Sequence, residues 1–260
     1  MTERELKWEI ESRLTCPCRV RVVAETQSTN TDVKTLADGG EEEGFALIAR
    51  RQSGGRGRMG RSFYSPGDTG LYLSLLLRPK SSPEEAVFLT VAAAVAAARA
   101  VKGVLDREVA IKWVNDLYLD GKKVCGILTE AAADPSASRL SYAVCGIGFN
   151  LFPPKGGFPQ EISSVAGALC EGNDPLVFPR LAAAFLNEFY EVNRLPRTRV
   201  LEEYRARSFL TGKRVTSPTG AFEGWATVTG IDDSAGLMLR FDDGRETVLS
   251  WGEVSVRWEE

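Results

Sequence analysis

Residues 54–62 read GGRGRMGRS, with four glycines and three arginines in nine positions. From Gly55 to Ser62 the segment matches the nucleotide-binding P-loop pattern, except that Arg61 replaces the lysine. A P-loop joins a strand directly to a helix whose N-terminus faces the phosphates. Here a strand precedes the segment, but FYSPGDTG follows it, and its proline and glycine forbid a helix. The sequence therefore excludes a P-loop and places a loop between two strands.

This glycine-arginine segment, called the arginine loop below, still has the chemistry of an anion site. Glycines let backbone N–H groups approach an anion closely, and Arg56, Arg58 and Arg61 add planar, permanently charged donors. Three like charges held together repel one another without an anionic partner, which favours an anion site over a solvated hairpin loop. An RNA-binding tether fits less well, because the run is single and the net charge is −3.

Composition narrows the chemistry further. The chain of 260 residues contains no histidine, which excludes Ser-His-Asp and Cys-His catalysis and histidine-based metal sites. The acidic balance, with a pI near 5.4, argues against a general binder of nucleic acid or membrane surfaces. Any reaction must therefore rest on lysine, arginine, carboxylates, tyrosine, cysteine or backbone dipoles.

The cysteines and the apolar segments indicate a cytoplasmic protein. Five cysteines are an odd number, and Cys16-Pro17-Cys18 has neither the spacing nor the second cluster of a zinc site. With no signal peptide, this content predicts a reducing cytoplasm. The longest apolar segment, residues 86–101, is shorter than the ~20 residues of a membrane span. It predicts a buried helix with Ser82 as its N-cap.

Hydrophobic periodicity divides the chain into two units. In the first, strands are predicted over 19–25, 45–50, 71–77 and 140–151, with a further strand and a hairpin between 109 and 130. Helices are predicted near the N-terminus, over 28–40, over the apolar segment, over 161–170 and over 177–207. After Gly212, five short alternating strands predict a small barrel. The predicted domains are residues 1–210 and 211–260.

The hairpin within IKWVNDLYLDGKKVCGIL, residues 111–128, carries a carboxylate and an amine. Asp120-Gly121 between apolar runs is a strong two-residue turn signal, which places Asp116 opposite Cys125. Asp116 and Lys123 then lie on the same sheet face as diagonal neighbours, roughly 7–8 Å apart. That separation leaves room for a ligand between them, and a surface salt bridge is the alternative interpretation.

A third segment, CGIGFN at residues 145–150, has little side chain on one face. Gly146, Gly148 and Asn150 alternate, so that face is bare backbone ending in an amide. Glycine weakens a strand unless something must come close to it. The pattern predicts a floor for a flat ligand, with a tight bend as the alternative.

Taken together, these motifs resemble the biotin protein ligase family, over about residues 20–155 and with a C-terminal barrel that also fits. The matching series is Ser28-Thr29-Asn30, Gln52 with GRGRMGR at 55–61, LYLS at 71–74, KWVNDLY at 112–118, Lys123 with GIL at 126–128, and GIGFNL at 146–151. Each motif alone is weak, whereas the ordered set is specific.

The resemblance implies an α+β fold with a mixed β-sheet flanked by helices, akin to class II aminoacyl-tRNA synthetases, and an SH3-like C-terminal domain. It also implies two reactions. Biotin and ATP give biotinyl-5'-AMP and pyrophosphate, and a lysine of biotin carboxyl carrier protein then takes the biotinyl group. ATP would arrive with Mg²⁺, biotin is a substrate, and no tightly bound prosthetic group is expected.

The resemblance also assigns residues to roles. Catalysis falls to Lys123, Arg58 and Asp116. The biotin site is assigned to Ser28, Thr29, Asn30, Gln52, Gly55, Arg56, Arg58, Lys123, Gly126, Gly146 and Gly148. The ATP and adenylate site is assigned to Arg58, Arg61, Phe63, Asn115, Asp116, Lys123 and Asn150. Asp116 is also the residue that could hold Mg²⁺.

Three departures from the family pattern are visible. Val114 replaces a usual proline, and Phe63 replaces a tryptophan that is common after the arginine loop. Only 27 residues precede Ser28, too few for the winged-helix DNA-binding domain of some ligases. We therefore expect a ligase that does not bind DNA or membranes, and a homodimer is compatible with the sequence.

Two other functions compete with this interpretation. A lipoate or octanoate ligase shares the fold and the adenylate chemistry, but its signature includes a histidine, which this chain lacks. A non-catalytic sensor of ligand or nucleotide is the other, and the presence of Lys123 and Arg58 argues against it.

Overall fold

A seven-stranded sheet forms the centre of the first unit in the computed structural model, which describes residues 1–79, 86–134, 139–250 and 252–256. Its strands are β1 (Arg19–Thr26), β2 (Phe45–Gln52), β3 (Gly70–Leu77), β4 (Ala110–Lys112), β5 (Asp116–Leu119), β6 (Lys122–Ala133) and β7 (Leu140–Asn150). They lie in the order β1-β2-β3-β7-β6-β5-β4, with β1 and β2 parallel and the other pairs antiparallel. The predicted mixed sheet is confirmed.

Helices cover both faces of this sheet. They are α1 (Glu3–Glu11), α2 (Thr29–Asp38), α3 (Ala86–Leu105), α4 (Gln160–Ser163), α5 (Val177–Val192) and α6 (Arg197–Arg207). Alternate residues of the strands enter two separate clusters, as the two-residue period of a strand requires. Phe45 and Leu47 of β2 pack towards α2, whereas Ala46 and Ile48 pack into the larger cluster around α3. The α+β class with flanking helices is therefore confirmed.

The apolar segment is the core helix that its composition predicts. By length and composition α3 could cross a membrane, but most of it is buried inside the fold. It packs against β6, β7, α5 and α6. Its predicted cap, Ser82, lies outside the described residues.

Two of the predicted helices are wrong in extent. The helix predicted over 161–170 ends at Ser163, because the backbone that follows pairs with the start of β6. Lys123 N donates to Val165 O at 2.7 Å and Gly167 N donates to Lys123 O at 2.9 Å. The helix predicted over 177–207 is two helices, because α5 ends at Val192 and Pro196 caps the start of α6.

The C-terminal unit has five strands, the number predicted for the small barrel, and they form one antiparallel sheet that is called the barrel below. Its strands are β8 (Arg214–Thr216), β9 (Ala226–Ile231), β10 (Leu237–Phe241), β11 (Glu246–Leu249) and β12 (Ser255–Val256), in the order β11-β10-β9-β8-β12. The part of the predicted last strand beyond residue 256 lies outside the described residues. The division at 210/211 stays a prediction, because one apolar core runs from α3 through Leu210 into the barrel.

Two side chains fix this barrel to the larger unit. Trp113 Nε1 donates to Ala235 O at 2.8 Å, and both residues are buried. Arg205 of α6 donates to Ile231 O at 2.8 Å and pairs with Asp233 at 2.7 Å. Because Trp113 follows β4 directly, the barrel is anchored at the segment that leads into Asn115 and Asp116.

Candidate functional site

One cavity brings together nearly all of the predicted site residues. Its walls are the start of α2, the arginine loop and the 112–116 segment. The neighbouring strands β6 and β7 contribute the side of the sheet that faces the cavity. Of the predicted set, the lining includes Ser28, Thr29, Asn30, Gln52, Arg56, Arg58, Arg61, Phe63, Asn115, Asp116, Lys123, Gly126, Gly146 and Gly148. These residues come from six separate segments of the chain, so the fold assembles them.

The start of α2 contributes a buried polar wall. Ser28 is the N-cap, and Thr29 donates to Gln52 Oε1 from both its backbone nitrogen, at 2.9 Å, and its hydroxyl, at 3.1 Å. Gln52 Nε2 in turn donates to Ser65 Oγ at 3.1 Å. The end of β2 and the start of α2 are thereby held together by directed bonds, which is what a preorganised binding wall needs.

Asn30 lies in the same wall, with its amide engaged by the protein. Its Nδ2 donates to Leu128 O at 3.1 Å and to Glu130 Oε2 at 2.9 Å, and Ser74 Oγ donates to its Oδ1 at 2.6 Å. The side chain covers Gly146, where a Cβ atom would clash with the Asn30 amide. Asn30 is therefore a fixed part of the wall.

The glycines of β7 line the cavity at the place where the sequence predicts a floor for a flat ligand. Gly148 pairs with Tyr72 on β3 and with Gly126 on β6, so β7 runs straight through this point and the alternative of a tight bend is wrong. The ring of Phe63 lies on the two glycines. A Cβ atom on Gly148 would be 2.5 Å from Phe63 Cε1, and one on Gly126 would be 3.0 Å from Cε2. The floor thus accepts a flat group, which in this structure is an aromatic side chain.

The hairpin of β5 and β6 differs from its predicted register. Asp116 pairs with Gly126 and Leu117 with Cys125, because a bulge at Val124 adds one residue to β6. Asp116 and Lys123 share a face as predicted, but the room expected between them is absent. Lys123 Nζ lies 2.7 Å from Asp116 Oδ1, a buried oxygen that receives no aligned hydrogen bond. The two charges form an ion pair that an anionic ligand could compete with.

The arginine loop is a short ribbon whose tip points over the cavity. Gly57 N donates to Arg61 O at 2.7 Å, and Met59 at the tip has a left-handed backbone with φ 57°. Arg58 Nη1 donates to Asn115 Oδ1 at 3.2 Å, and Asn115 Nδ2 donates to Ile127 O at 2.8 Å. The loop is therefore tied to the 112–116 segment across the cavity.

Charge in the cavity is predominantly positive. The cations Arg56, Arg58, Arg61, Lys112 and Lys123 line it, against the carboxylates Asp116 and Glu253. Burial lowers the pKa of the Lys112 amine, and the nearby Asp116 and Glu253 carboxylates offset only part of that effect. A cavity of this kind attracts anions and concentrates its field where water is partly excluded.

The sequence of the chain is similar to those of known protein ligases. The sequence model of the biotin/lipoate A/B protein ligase family matches residues 22–150. The biotin–[acetyl-CoA-carboxylase] ligase of Paracoccus denitrificans is 34% identical over 236 residues, which cover 87% of this chain and 96% of that protein. The bifunctional ligase/repressor BirA of Bacillus spizizenii is 31% identical, over 88% of this chain and 70% of that protein.

The chain belongs to the biotin/lipoate A/B protein ligase family. A solved structure of the Aquifex aeolicus biotin protein ligase with biotin and ATP has the same fold, with a TM-score of 0.74 and 24% identity over 93% of this chain and 99% of that one. The resemblance stated from the motifs is confirmed at the level of the family and of the fold.

Two residues that the family resemblance assigned to ligands lie outside the lining of the cavity. Asn150 ends β7, and its Nδ2 donates to Gly167 O at 3.0 Å and to Lys123 O at 3.4 Å. Gly55 sits at the base of the arginine loop, where it accepts a bond from Phe63 N at 2.9 Å. Asn150 holds the backbone of the β5–β6 hairpin, and Gly55 holds the base of the arginine loop.

Nine lining residues were not predicted as site residues, and three of them are Lys112, Trp113 and Glu253. Lys112 pairs with Asp116 across β4 and β5, so strand pairing of the hairpin could have revealed it. Trp113 follows it directly. Glu253 comes from the barrel, 192 residues after Arg61, and no local pattern connects the two.

Metal ligands are sparse in this site. Among the residues that the structure describes, no group of three or more histidine, cysteine or acidic side chains could hold a metal ion. Mg²⁺ prefers oxygen ligands and keeps several waters or phosphate oxygens. Asp116 and Asn115 could thus contribute to a magnesium ion only beside the phosphates of a bound nucleotide.

Proposed function

We propose that this protein is a biotin protein ligase, which activates biotin with ATP and transfers it to a lysine of a biotin carboxyl carrier protein. The observation that supports this best is one cavity in which a glycine floor, covered here by the ring of Phe63, meets a cationic wall. The floor suits a flat, uncharged ring, and the cations suit a carboxylate and a triphosphate. Family membership and the biotin and ATP in the Aquifex aeolicus structure point the same way.

In the first reaction a biotin carboxylate oxygen attacks the α-phosphorus of ATP. The bond from that phosphorus to the bridging oxygen breaks, and pyrophosphate leaves with the electron pair. The attack brings two anions together, so the reaction depends mainly on cations that neutralise the charge at the reacting atoms. Lys123 would exchange its contact with Asp116 for the carboxylate and the α-phosphate, and Arg58 and Arg61 would hold the phosphates.

In the second reaction the acceptor lysine, as a neutral amine, attacks the carbonyl carbon of biotinyl-5'-AMP. An amide forms, the carbon–oxygen bond to the phosphate breaks, AMP leaves, and the amine proton passes to solvent or to a nearby carboxylate. Neither reaction uses an enzyme nucleophile, which agrees with the absence of histidine. Catalysis would rest on positioning and on charge neutralisation.

Mg²⁺ would enter as part of the ATP substrate. Asp116 and Asn115 are the side chains from which we expect it to take ligands, beside the phosphate oxygens and water. The arginine loop would then cover the mixed anhydride and limit its hydrolysis by water.

The carrier protein and the compartment complete the proposal. A relative is named for acetyl-CoA carboxylase, whose biotin carrier is the acceptor that we propose here. All five cysteines are free, in agreement with a reducing cytoplasm. We propose that the protein acts without binding DNA.

ATP–pyrophosphate exchange tests the proposal most directly. The purified protein is incubated with ATP, Mg²⁺ and labelled pyrophosphate, and biotin, lipoate and octanoate are offered separately. We expect exchange with biotin alone. Exchange only with lipoate or octanoate would reassign the substrate, and no exchange with any of the three would overturn the ligase assignment.

A further inference from the structure

Glu130 of β6 lies behind the cavity, outside its lining, and contacts three side chains from two elements, α2 and the arginine loop. Its carboxylate accepts from Asn30 Nδ2 at 2.9 Å, from Lys34 Nζ at 3.1 Å and pairs with Arg56 Nη1 at 3.2 Å. Its side chain is 18% exposed. Asn30 and Lys34 both belong to α2, where Asn30 is part of the cavity wall, and Arg56 belongs to the base of the arginine loop.

We propose that Glu130 is a positioning residue that fixes the cavity wall and the base of the arginine loop relative to each other. This inference rests on the proposed function, since its consequences concern biotin binding and retention of biotinyl-5'-AMP. Glu130 acts through Asn30 and Arg56.

The first consequence concerns the orientation of the Asn30 amide. Its Nδ2 meets two groups that can only accept, the Leu128 carbonyl and the ionised Glu130 carboxylate. Its Oδ1 must therefore face Ser74, whose hydroxyl also contacts Thr29. Removing the carboxylate loosens that constraint at the wall where we place biotin.

The ionised state of Glu130 is secured by its neighbours. Burial raises the pKa of this carboxyl, but the hydrogen bonds from Asn30 and Lys34 and the charges of Lys34 and Arg56 outweigh burial, so the net pKa lies below its usual value. The carboxylate is thus charged at neutral pH and accepts from all three partners.

The second consequence concerns the arginine loop. Arg56 starts the loop ribbon, where it forms a bridge with Ser62, and its guanidinium reaches back to Glu130. Arg58 and Arg61 lie beyond that base and extend over the cavity. Holding the base of the loop fixes where these two cations are placed over the cavity. Losing the Glu130 contact should therefore weaken the cover over the adenylate.

Three substitutions separate the two consequences. Glu130→Gln keeps an oxygen that can accept from Asn30 but removes the charge that pairs with Arg56 and Lys34. Glu130→Ala removes both. Arg56→Gln removes the loop side of the contact together with one cation of the cavity lining. Glu25→Gln is the matched control, since it breaks a different exposed pair with Arg51 at 3.4 Å.

The first measurement is dissociation of biotinyl-5'-AMP, followed after mixing with excess unlabelled ligand. A partly exposed ion pair is worth little, so we expect release to be about threefold faster in Glu130→Gln. Arg56→Gln should show at least as large a change, because it also removes a cation of the lining. The double variant should release the adenylate no faster than Arg56→Gln, because both substitutions break the same contact. Glu25→Gln should match the wild type.

The second measurement is biotin affinity without ATP, by calorimetry. A lost hydrogen bond to a charged group predicts about tenfold weaker binding for Glu130→Ala, and little change for Glu130→Gln. The KM for biotin should rise while kcat changes less than twofold. A merely structural role would lower the melting temperature without this split.

The outcomes distinguish the inference from the proposed function. If the wild type neither binds biotin nor exchanges pyrophosphate, the proposed function fails. If the wild type does both and Glu130→Gln releases the adenylate as Glu25→Gln does, the positioning role is wrong. Additive effects of Glu130→Gln and Arg56→Gln would likewise overturn it. If Glu130→Ala does not fold, the adenylate release rates of Glu130→Gln and of the double variant are sufficient to test the positioning role.

Discussion

Arg61 of the arginine loop and Glu253 of the C-terminal barrel form an ion pair at the cavity, with Nη1 2.6 Å from Oε2. The pair connects the two units of the fold at the place where we expect the phosphates of ATP. Glu253 therefore pairs with Arg61, a cation that the nucleotide would need, and it adds negative charge near the expected position of the phosphates. The barrel thus influences the nucleotide site through one carboxylate.

Replacing Glu253 by glutamine should strengthen ATP binding. The variant frees Arg61 and removes a repulsive charge, and because Arg61 is largely exposed we expect only a two- to fivefold lower KM for ATP, about the effect of a surface pair. The measurement is ATP–pyrophosphate exchange as a function of ATP concentration. Biotin affinity serves as the control and should not change. A higher KM for ATP would mean that Glu253 assists the nucleotide.

Replacing Lys123 by alanine should abolish adenylate formation while the protein stays folded. Lys123 is the amine that we place between the biotin carboxylate and the α-phosphate, and loss of one such charge lowers kcat by about 10²-fold or more. Lys122→Ala is the matched control, because the Lys122 amine bonds to Ser163 O and Ser164 O away from the cavity. Near-normal exchange by Lys123→Ala would show that the role of Lys123 is wrong.

Much of the fold follows from local pattern. Alternating apolar residues locate the strands, and Asp120-Gly121 locates the hairpin turn, because that dipeptide suits the left-handed backbone of both turn residues, with φ of 50° and 74°. The glycines at 146 and 148 predict the floor for a related reason, since close approach excludes a side chain. These features depend on residues near one another in the chain.

What the sequence did not reveal depends on packing between distant segments. The bulge at Val124 shifts the hairpin by one residue, and either register buries apolar side chains, so the apolar pattern could not select it. The pairing of Lys123 with Asp116 follows from side-chain conformations, which strand positions do not specify. The position of Glu253 at the cavity depends on how the barrel packs against the larger unit, and a hydrogen bond between Trp113 and Ala235 fixes that packing.

Lys112 should make ATP binding sensitive to alkaline pH. Burial lowers the pKa of its amine in the folded protein, so the ammonium is lost at a lower pH than for an exposed lysine. As the pH rises through that lowered pKa, the cavity loses a cation and the KM for ATP should increase. The stability of the fold changes in the opposite direction. Burying the charged amine of Lys112 lowers the free energy of unfolding, and this loss declines as the pH rises through the lowered pKa.

Lys112→Arg tests this assignment, because a guanidinium stays charged over the same range. We expect its KM for ATP to vary less between pH 7 and 10 than that of the wild type, measured by exchange at each pH. Lys122→Arg is the control, since it changes a lysine outside the cavity. Identical pH profiles of Lys112→Arg and the wild type would remove Lys112 from the nucleotide site.

Adding one methyl group to the floor should weaken biotin binding. In Gly148→Ala the new Cβ would lie 2.5 Å from Phe63 Cε1, which is too close for two non-bonded carbon atoms. The Phe63 ring must therefore leave the floor, or the strand must shift. Overpacking of this kind costs about 1–3 kcal/mol, which predicts a roughly five- to hundredfold loss of biotin affinity if the ligand needs the same surface. Calorimetry with biotin measures it, and circular dichroism checks the fold.

Gly103→Ala provides the matched control for that methyl group. Gly103 lies in α3 with no atom within 4 Å of the added Cβ, so alanine should stabilise the protein by up to about 1 kcal/mol and leave biotin affinity unchanged. Combining Gly148→Ala with Phe63→Ala separates the two ways in which the floor could be blocked. If the double variant recovers biotin binding, displacement of the ring was the cause. If Gly148→Ala alone binds biotin like the wild type, the floor lies outside the biotin site.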